Sequence, residues 1–183
     1  MVFFYYIIKY FFLSTICALI LHPKLRSQYL KILGARIGRN VRIEDIKFIQ
    51  IQYPLKNLKC CDNVFIGSSV ILDLSSEIFI GKNSVISPGC FLITHQDAGE
   101  FIGNRISAFY TKKVSPVVIK EDVWIGCDST ILPGTTIENM TVIGAKSLVS
   151  GTIPGMVMAA GVPATVKKRL DFKGSTIKLK VRG

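Results

Sequence analysis

A chain of 183 residues has room for one domain and a modest appendage, and its 49% hydrophobic content is enough for a real core. The formal net charge of +11 points to an anionic partner: nucleic acid, phospholipid or a phosphorylated cofactor. Nucleic acid is set aside, because no aromatic platform or recognition motif accompanies the basic residues that crowd the C-terminal end. Five cysteines, an odd number without a CxxC pattern, read as reduced thiols and not as a disulfide framework or metal site, so no metal is expected.

Residues 1–33 form the first segment, an apolar run broken by Lys9, Ser14 and Thr15 and followed by His22-Pro23 and the basic Lys24, Arg26 and Lys31. The charge follows the apolar run and no small-residue cleavage site is present, so the segment does not read as a signal peptide. About twenty apolar residues could just span a bilayer. A helix lying in the membrane surface through residues 1–22 fits better, since Lys9 sits mid-run, the aromatic rings suit the headgroup zone and the basic shoulder suits anionic lipid. The same helix could also pack on the domain or on a neighbouring subunit. His22, before a proline, reads as structural.

Residues 34–163 carry a six-residue beat. It is faint at Ile37, Ile43 and Ile49, broken near Tyr53-Pro54, resumed at Ile66 and Leu72, shifted by two at Ile78, and continued at Ile80, Ile86 and Leu92. It is strict over residues 119–150, where Ile119, Ile125, Ile131, Ile137, Ile143 and Val149 recur at every sixth place. Four places after each of the first five stand Val123, Ser129, Thr135, Thr141 and Ser147, all small or β-branched. A period of six fits neither the 3.6-residue helix nor the two-residue alternation of a strand. It predicts a solenoid whose eighteen-residue rungs are triangles of three short strands, with the aliphatic pointing inward and the small residue packing the corner. Cys90 takes the small slot after Ile86 and reads as a packing residue.

The beat stops after Leu92. Thr94-His95 opens an insertion, residues 96–116, that is irregular and therefore the place to look for function. Beyond Val149 the segment up to Pro163 closes the coil. Residues 164–183 are expected to form a short helix, over 164–170, and a basic tail.

Thr94-His95, Pro116-Val-Val-Ile-Lys-Glu-Asp-Val-Trp-Ile-Gly126, Ile131-Leu-Pro-Gly134, Val142-Ile-Gly-Ala145 and Ala160-Gly-Val-Pro-Ala164 agree in order and spacing with one group of enzymes. The chain resembles the hexapeptide-repeat acyltransferases, most closely the small O-acetyltransferases of galactosides, maltose and bacterial surface polysaccharides. The resemblance covers roughly residues 60–170. It implies a mainly β fold, a left-handed parallel β-helix with a long protruding loop; the handedness comes from the family alone, since parallel crossovers are ordinarily right-handed.

It also implies acetyl transfer from acetyl-CoA, as co-substrate, to a sugar or glycan hydroxyl, in a homotrimer with active sites at the subunit interfaces. His95 would be the general base, with direct attack on the thioester, and the backbone N–H of Cys127 would stabilise the oxyanion. Trp124 would flank the cleft unless it merely caps a corner, and Asp73 falls near the position that contacts the acceptor. Gly126, Ala145, Ser150, Gly161, Pro163 and Lys168 match positions that meet coenzyme A. Two departures, Ser150-Gly151 for Thr-Lys and Thr165 for a basic residue, bear on that contact. With the apolar N-terminus, the expected role is capsule, O-antigen or other surface polysaccharide assembly, in the cytoplasm and peripheral to the inner face of the membrane. An antibiotic acetyltransferase of the same fold and an inactive solenoid scaffold are the alternatives.

Overall fold

The computed structural model describes residues 8–9, 11–99 and 102–171. The expectations for residues 1–7 and for the basic tail over 172–183 lie outside the described residues. The chain winds as a parallel solenoid of about six turns with three faces. The first face stacks β1 (Arg36–Ile37), β4 (Leu58–Cys60), β7 (Ile78–Ile80), β12 (Val117–Ile119), β15 (Thr136–Ile137) and β18 (Thr152–Ile153). A second face stacks β2 (Arg42–Ile43), β5 (Phe65–Ile66), β8 (Val85–Ile86), β13 (Trp124–Ile125), β16 (Val142–Ile143) and β19 (Val157–Gly161), then β20 (Ala164–Arg169). The third stacks β3 (Ile46–Ile49), β6 (Val70–Asp73), β9 (Phe91–Leu92), β14 (Thr130–Ile131) and β17 (Leu148–Val149).

The strict repeat has the predicted physical meaning. Ile119, Ile125, Ile131, Ile137, Ile143 and Val149 are buried, and so are Val123, Ser129, Thr135, Thr141 and Ser147. Each inward aliphatic contributes about 1.5–3 kcal/mol of burial. The small residues close the corners by hydrogen bonding as well as by size: Ser129 Oγ donates to the Gly144 carbonyl at 3.1 Å and Thr135 Oγ1 to the Val149 carbonyl at 3.2 Å. Cys90 is fully buried and its Sγ donates to the Gly126 carbonyl at 3.2 Å.

The corners between the first and second faces turn through residues with left-handed φ, Asn40, Asn63, Asn83 and Asp122 in the first four rungs and Met140 and Met156 in the last two. Asn and Asp tolerate that conformation better than most residues. Stacked from rung to rung, their side chains form a ladder, Asn40 to Asn63 at 3.0 Å, Asn63 to Asn83 at 3.1 Å and Asn83 to Asp122 at 3.0 Å.

Two expectations need correction. Ile49 does not hold the inward place in its rung: Phe48 pairs with Leu72, while the half-buried Ile49 pairs with Asp73, so the beat shortens there. Residues 164–169 are not helical. They form β20, antiparallel to β19, after a turn with Gly161 at φ 110. The last rung leaves the backbone groups of β19 open along one edge, and pairing with that edge outweighs the weak helical preference of a six-residue stretch.

At the other end, residues Phe11–Ile16 form a π-helical turn, Cys17–Leu19 a short helical turn, and Pro23–Ile32 the helix α1. His22 caps α1, its Nδ1 accepting from the Lys24 N–H at 3.3 Å. Among the described residues no helix is long and apolar enough to cross a membrane.

Ile131→Ala should lower the unfolding free energy by about 2–5 kcal/mol, since the rigid rungs cannot collapse around the hole. Ile49→Ala should cost less than half as much in the same denaturant titration. Equal losses would contradict the outward placement of Ile49.

Candidate active site

The third face ends at Asp73, and there the regular corner is replaced by a polar knot. Asp73 is fully buried, yet its carboxylate is saturated with donors. Oδ1 accepts from the Ser75 N–H at 3.0 Å and Ser75 Oγ at 2.8 Å. Oδ2 accepts from the Thr94 N–H at 2.8 Å, the His95 N–H at 2.9 Å and His95 Nδ1 at 2.5 Å. Thr94, also buried, ties the knot from the next rung: its Oγ1 donates to the Asp73 carbonyl at 2.9 Å and accepts from the Ser76 N–H at 2.9 Å. Burial alone would raise the Asp73 pKa; the hydrogen bonds from His95, Ser75 and Thr94 outweigh it and hold the carboxyl below its usual value.

A carboxylate can only accept, so the His95 proton sits on Nδ1 and Nε2 is left as an acceptor. Nε2 meets the Gln50 amide nitrogen at 3.1 Å. The Gln50 and Gln52 side-chain amides are hydrogen-bonded to each other, and with the imidazole proton on Nδ1 the Gln50 amide meets Nε2 through its N–H. His95 therefore presents a bare, oriented nitrogen whose lone pair is covered by a single displaceable amide. The insertion is rooted at the same place, since β10 (His95–Gln96) pairs antiparallel with β11 (Lys113–Val114). It projects the exposed Ile102, Ile106, Phe109 and Tyr110.

The site residues named from sequence divide between two corners of the prism. His95 and Ser150 lie between the third and first faces, with Asp73 beneath His95. Gly126, Cys127 and Ala145 lie between the second and third, with Gly161 and Pro163 above them. Along one chain the two corners are separated by the whole width of the third face.

At the second corner a Cβ on Gly126 would fall 2.5 Å from the Ala145 nitrogen, so the rungs approach too closely for any side chain there. The Cys127 side chain is exposed, and its N–H has no partner among the described residues. Beside it, Asp128, Thr130, Lys146, Ser147, Leu148 and Val162 line an open groove of about 470 Å³. Gly161 N–H donates to Ser147 Oγ at 3.1 Å, drawing the closing segment against this groove. Trp124 is 55% exposed on the second face, its Nε1 donating to Ser87 Oγ at 3.0 Å, and Lys168 is exposed on β20.

Two features depart from the sequence reading. Asp73 was expected at the acceptor, but a buried carboxylate with both oxygens engaged cannot reach one; it orients His95 instead. Gln50 was missed altogether. It lies 45 positions before His95, in the stretch where the beat is broken, and adopts φ 54 in the turn after β3.

Because the folded-state pKa of Asp73 lies below the unfolded value of about 3.9, this group contributes stability that is fully present above that value and lost as pH falls through the folded pKa. Asp73→Asn should therefore lower the melting temperature at neutral pH and flatten its decline below about pH 4. Thermal melts across that range measure it; an acid limb as steep as in the wild type would contradict the assignment.

Three comparisons bear on the family. The chain is 37% identical over 141 residues to WcaF of Escherichia coli (strain K12), named for acetyl transfer in colanic acid biosynthesis, covering 77% of this chain and 72% of that protein. It is 31% identical over 156 residues to the galactoside O-acetyltransferase of Lactococcus lactis subsp. lactis (strain IL1403), covering 82% and 72%. Among solved structures it superposes on a galactoside acetyltransferase in complex with coenzyme A with a TM-score of 0.73, 27% identity and coverage of 90% and 78%. No family profile matches the chain. With the repeat, the three-faced solenoid and these relatives in agreement, the chain belongs to the hexapeptide-repeat acetyltransferases of the left-handed β-helix type.

Proposed function

We propose that this acetyltransferase transfers the acetyl group of acetyl-CoA to a sugar hydroxyl during the assembly of a bacterial surface polysaccharide. The observation that carries the reading is the His95 imidazole, held through Nδ1 by buried Asp73 so that Nε2 is turned to the mouth of the insertion. The colanic acid relative supports the polysaccharide context, and the coenzyme A complex of the structural neighbour supports the donor.

The acceptor hydroxyl displaces the Gln50 amide from Nε2. As its oxygen attacks the thioester carbonyl, His95 takes the hydroxyl proton, and Asp73 stabilises the imidazolium so formed. The oxyanion needs a preorganised donor, for which the free Cys127 N–H is suited. When the tetrahedral centre collapses, the C–S bond breaks and the imidazolium returns its proton to the departing thiolate. No acyl-enzyme is formed.

Since His95 and Cys127 lie a face apart in one chain, a site that uses both is built between copies, His95 from one and Cys127 from the next. A homotrimer supplies three such sites. The groove beside Cys127 would then take the pantetheine arm across Gly126 and Ala145, with Ser150, Gly161, Pro163 and Lys168 along its course. Trp124 would flank the acceptor. Such an enzyme works where acetyl-CoA is made, in the cytoplasm.

Acetyl-CoA turnover, measured as thiol release against nucleotide sugars and lipid-linked glycans, should fall about 10²- to 10⁴-fold in His95→Ala. Gln50→Ala removes the amide that the acceptor must displace, so it should lower KM for the acceptor while leaving KM for acetyl-CoA unchanged. Undiminished turnover in His95→Ala would refute the mechanism.

A further inference from the structure

The end of the solenoid away from β20 is capped by residues 8–9 and 11–33, and the outer surface of this cap is dense in exposed apolar side chains. Phe11, Phe12, Leu19, Leu21, Leu25 and Ile32 are exposed there, Leu21 at 88% and Ile32 at 82%. On α1, at 3.6 residues per turn, Arg26, Ser27 and Leu30 face inward. The outer arc carries Lys24, Leu25, Gln28, Lys31 and Ile32, with the two lysines along one edge and Leu25 and Ile32 along the other. Fully exposed aliphatics bordered by lysines are the pattern of a surface that meets headgroups and acyl chains together.

Three features show that this face is built outward and is not the loose side of a core helix. Arg26 is buried, and its guanidinium donates to the carbonyls of Cys17 at 3.1 Å, Ile20 at 2.5 Å and Ile43 at 3.0 Å. It thus pins the break between the apolar run and α1 onto the first rung. Tyr29 Oη donates to the Phe12 carbonyl at 2.9 Å, holding the two segments side by side. Lys9, the charge inside the apolar run, is turned back toward the protein, where its Nζ donates to the Tyr53 carbonyl at 2.7 Å. The apolar outer surface is left without that charge.

The electrostatics favour one occupant. No acidic residue precedes Glu44, whereas seven basic residues do. Of these, Lys24 and Lys31 form no ion pair among the described residues. Arg42 and Glu44 stand with His22 and Lys24 around an open pocket of about 310 Å³ at the start of α1, three basic side chains to one acid. A surface combining large aliphatics with unpaired cations and an excess of base over acid suits a bilayer bearing anionic headgroups better than a second copy of itself, which would bring like charges together.

We propose that the N-terminal cap is a docking surface for an anionic phospholipid bilayer, lying in the headgroup region without crossing it. This goes beyond acetyl transfer and stands or falls apart from it. The cap also touches the site. Lys9 holds the Tyr53 carbonyl, the Tyr53 N–H donates to the Gln50 carbonyl at 3.1 Å, and Gln50 covers His95. A docked cap therefore holds the His95 corner near the lipid surface.

The test is flotation of the full chain with vesicles of phosphatidylcholine alone or mixed with phosphatidylglycerol. The wild-type protein is expected to rise with the phosphatidylglycerol vesicles and to be released by salt. Lys24→Gln/Lys31→Gln should lose roughly 30-fold in affinity for them. Leu21→Asp/Leu25→Asp should stay at the bottom of the gradient, with the melting temperature and oligomeric mass of the wild type. Every variant keeps the basic C-terminal tail, so variants that float like the wild type would overturn the proposal in favour of binding through the tail. It is equally overturned if the wild type does not float, or if the leucine variant changes oligomeric mass, which would make this face a contact between copies.

Discussion

Close stacking of parallel rungs, strand on strand at about 4.8 Å, is the constraint from which the rest follows. It demands an inward aliphatic at one fixed place in each short strand and a residue at the corner small enough to let the next rung approach. Gly126, whose missing side chain would strike the Ala145 nitrogen, and the buried Ser129 and Thr135 answer that demand. The left-handed Asn and Asp residues answer a second one, that the chain turn sharply within the four residues between one strand and the next.

The same stacking makes the site. Asp73 and Thr94 are 21 positions apart but occupy neighbouring rungs, so the end of one strand delivers a carboxylate beneath the start of the insertion in the next. A buried, ionised carboxylate is costly unless its oxygens are filled. Here Ser75, Thr94 and His95 fill them, and the cost of burying the charge is offset by the bonds that orient the imidazole. Had the insertion left the solenoid a rung later, His95 would have no partner below it. The rigidity of the rungs is thus transmitted to the imidazole through one carboxylate.

Where the beat is strict, over residues 119–150, the sequence alone was enough to assign every inward side chain, because a single period satisfied one repeated geometry. His95 was singled out by the Thr-His motif of the family the chain resembles and by standing where the period stops. What could not be read were features decided by neighbours distant in sequence. The shift from Ile49 to Phe48 follows from pairing with Val70–Asp73. Gln50 meets His95 only because that shifted strand ends in a tight turn. Asp73 falls near an acceptor contact of the family the chain resembles, in a stretch where the register is interrupted, and nothing local announces that its side chain is buried. Residues 164–169 show neither strand alternation nor a helical stripe, and the open edge of β19 made the choice.

The central claim is that Asp73 fixes His95 as a base by holding its proton on Nδ1 and leaving Nε2 free. Nitrogen-15 NMR of histidine-labelled protein at neutral pH tests it most directly, with His95→Ala used to assign the resonance. The account predicts a neutral His95 imidazole protonated at Nδ1, with that tautomer lost in Asp73→Asn. A His95 ring protonated at Nε2, or one whose tautomer ignores the Asp73 substitution, would contradict it.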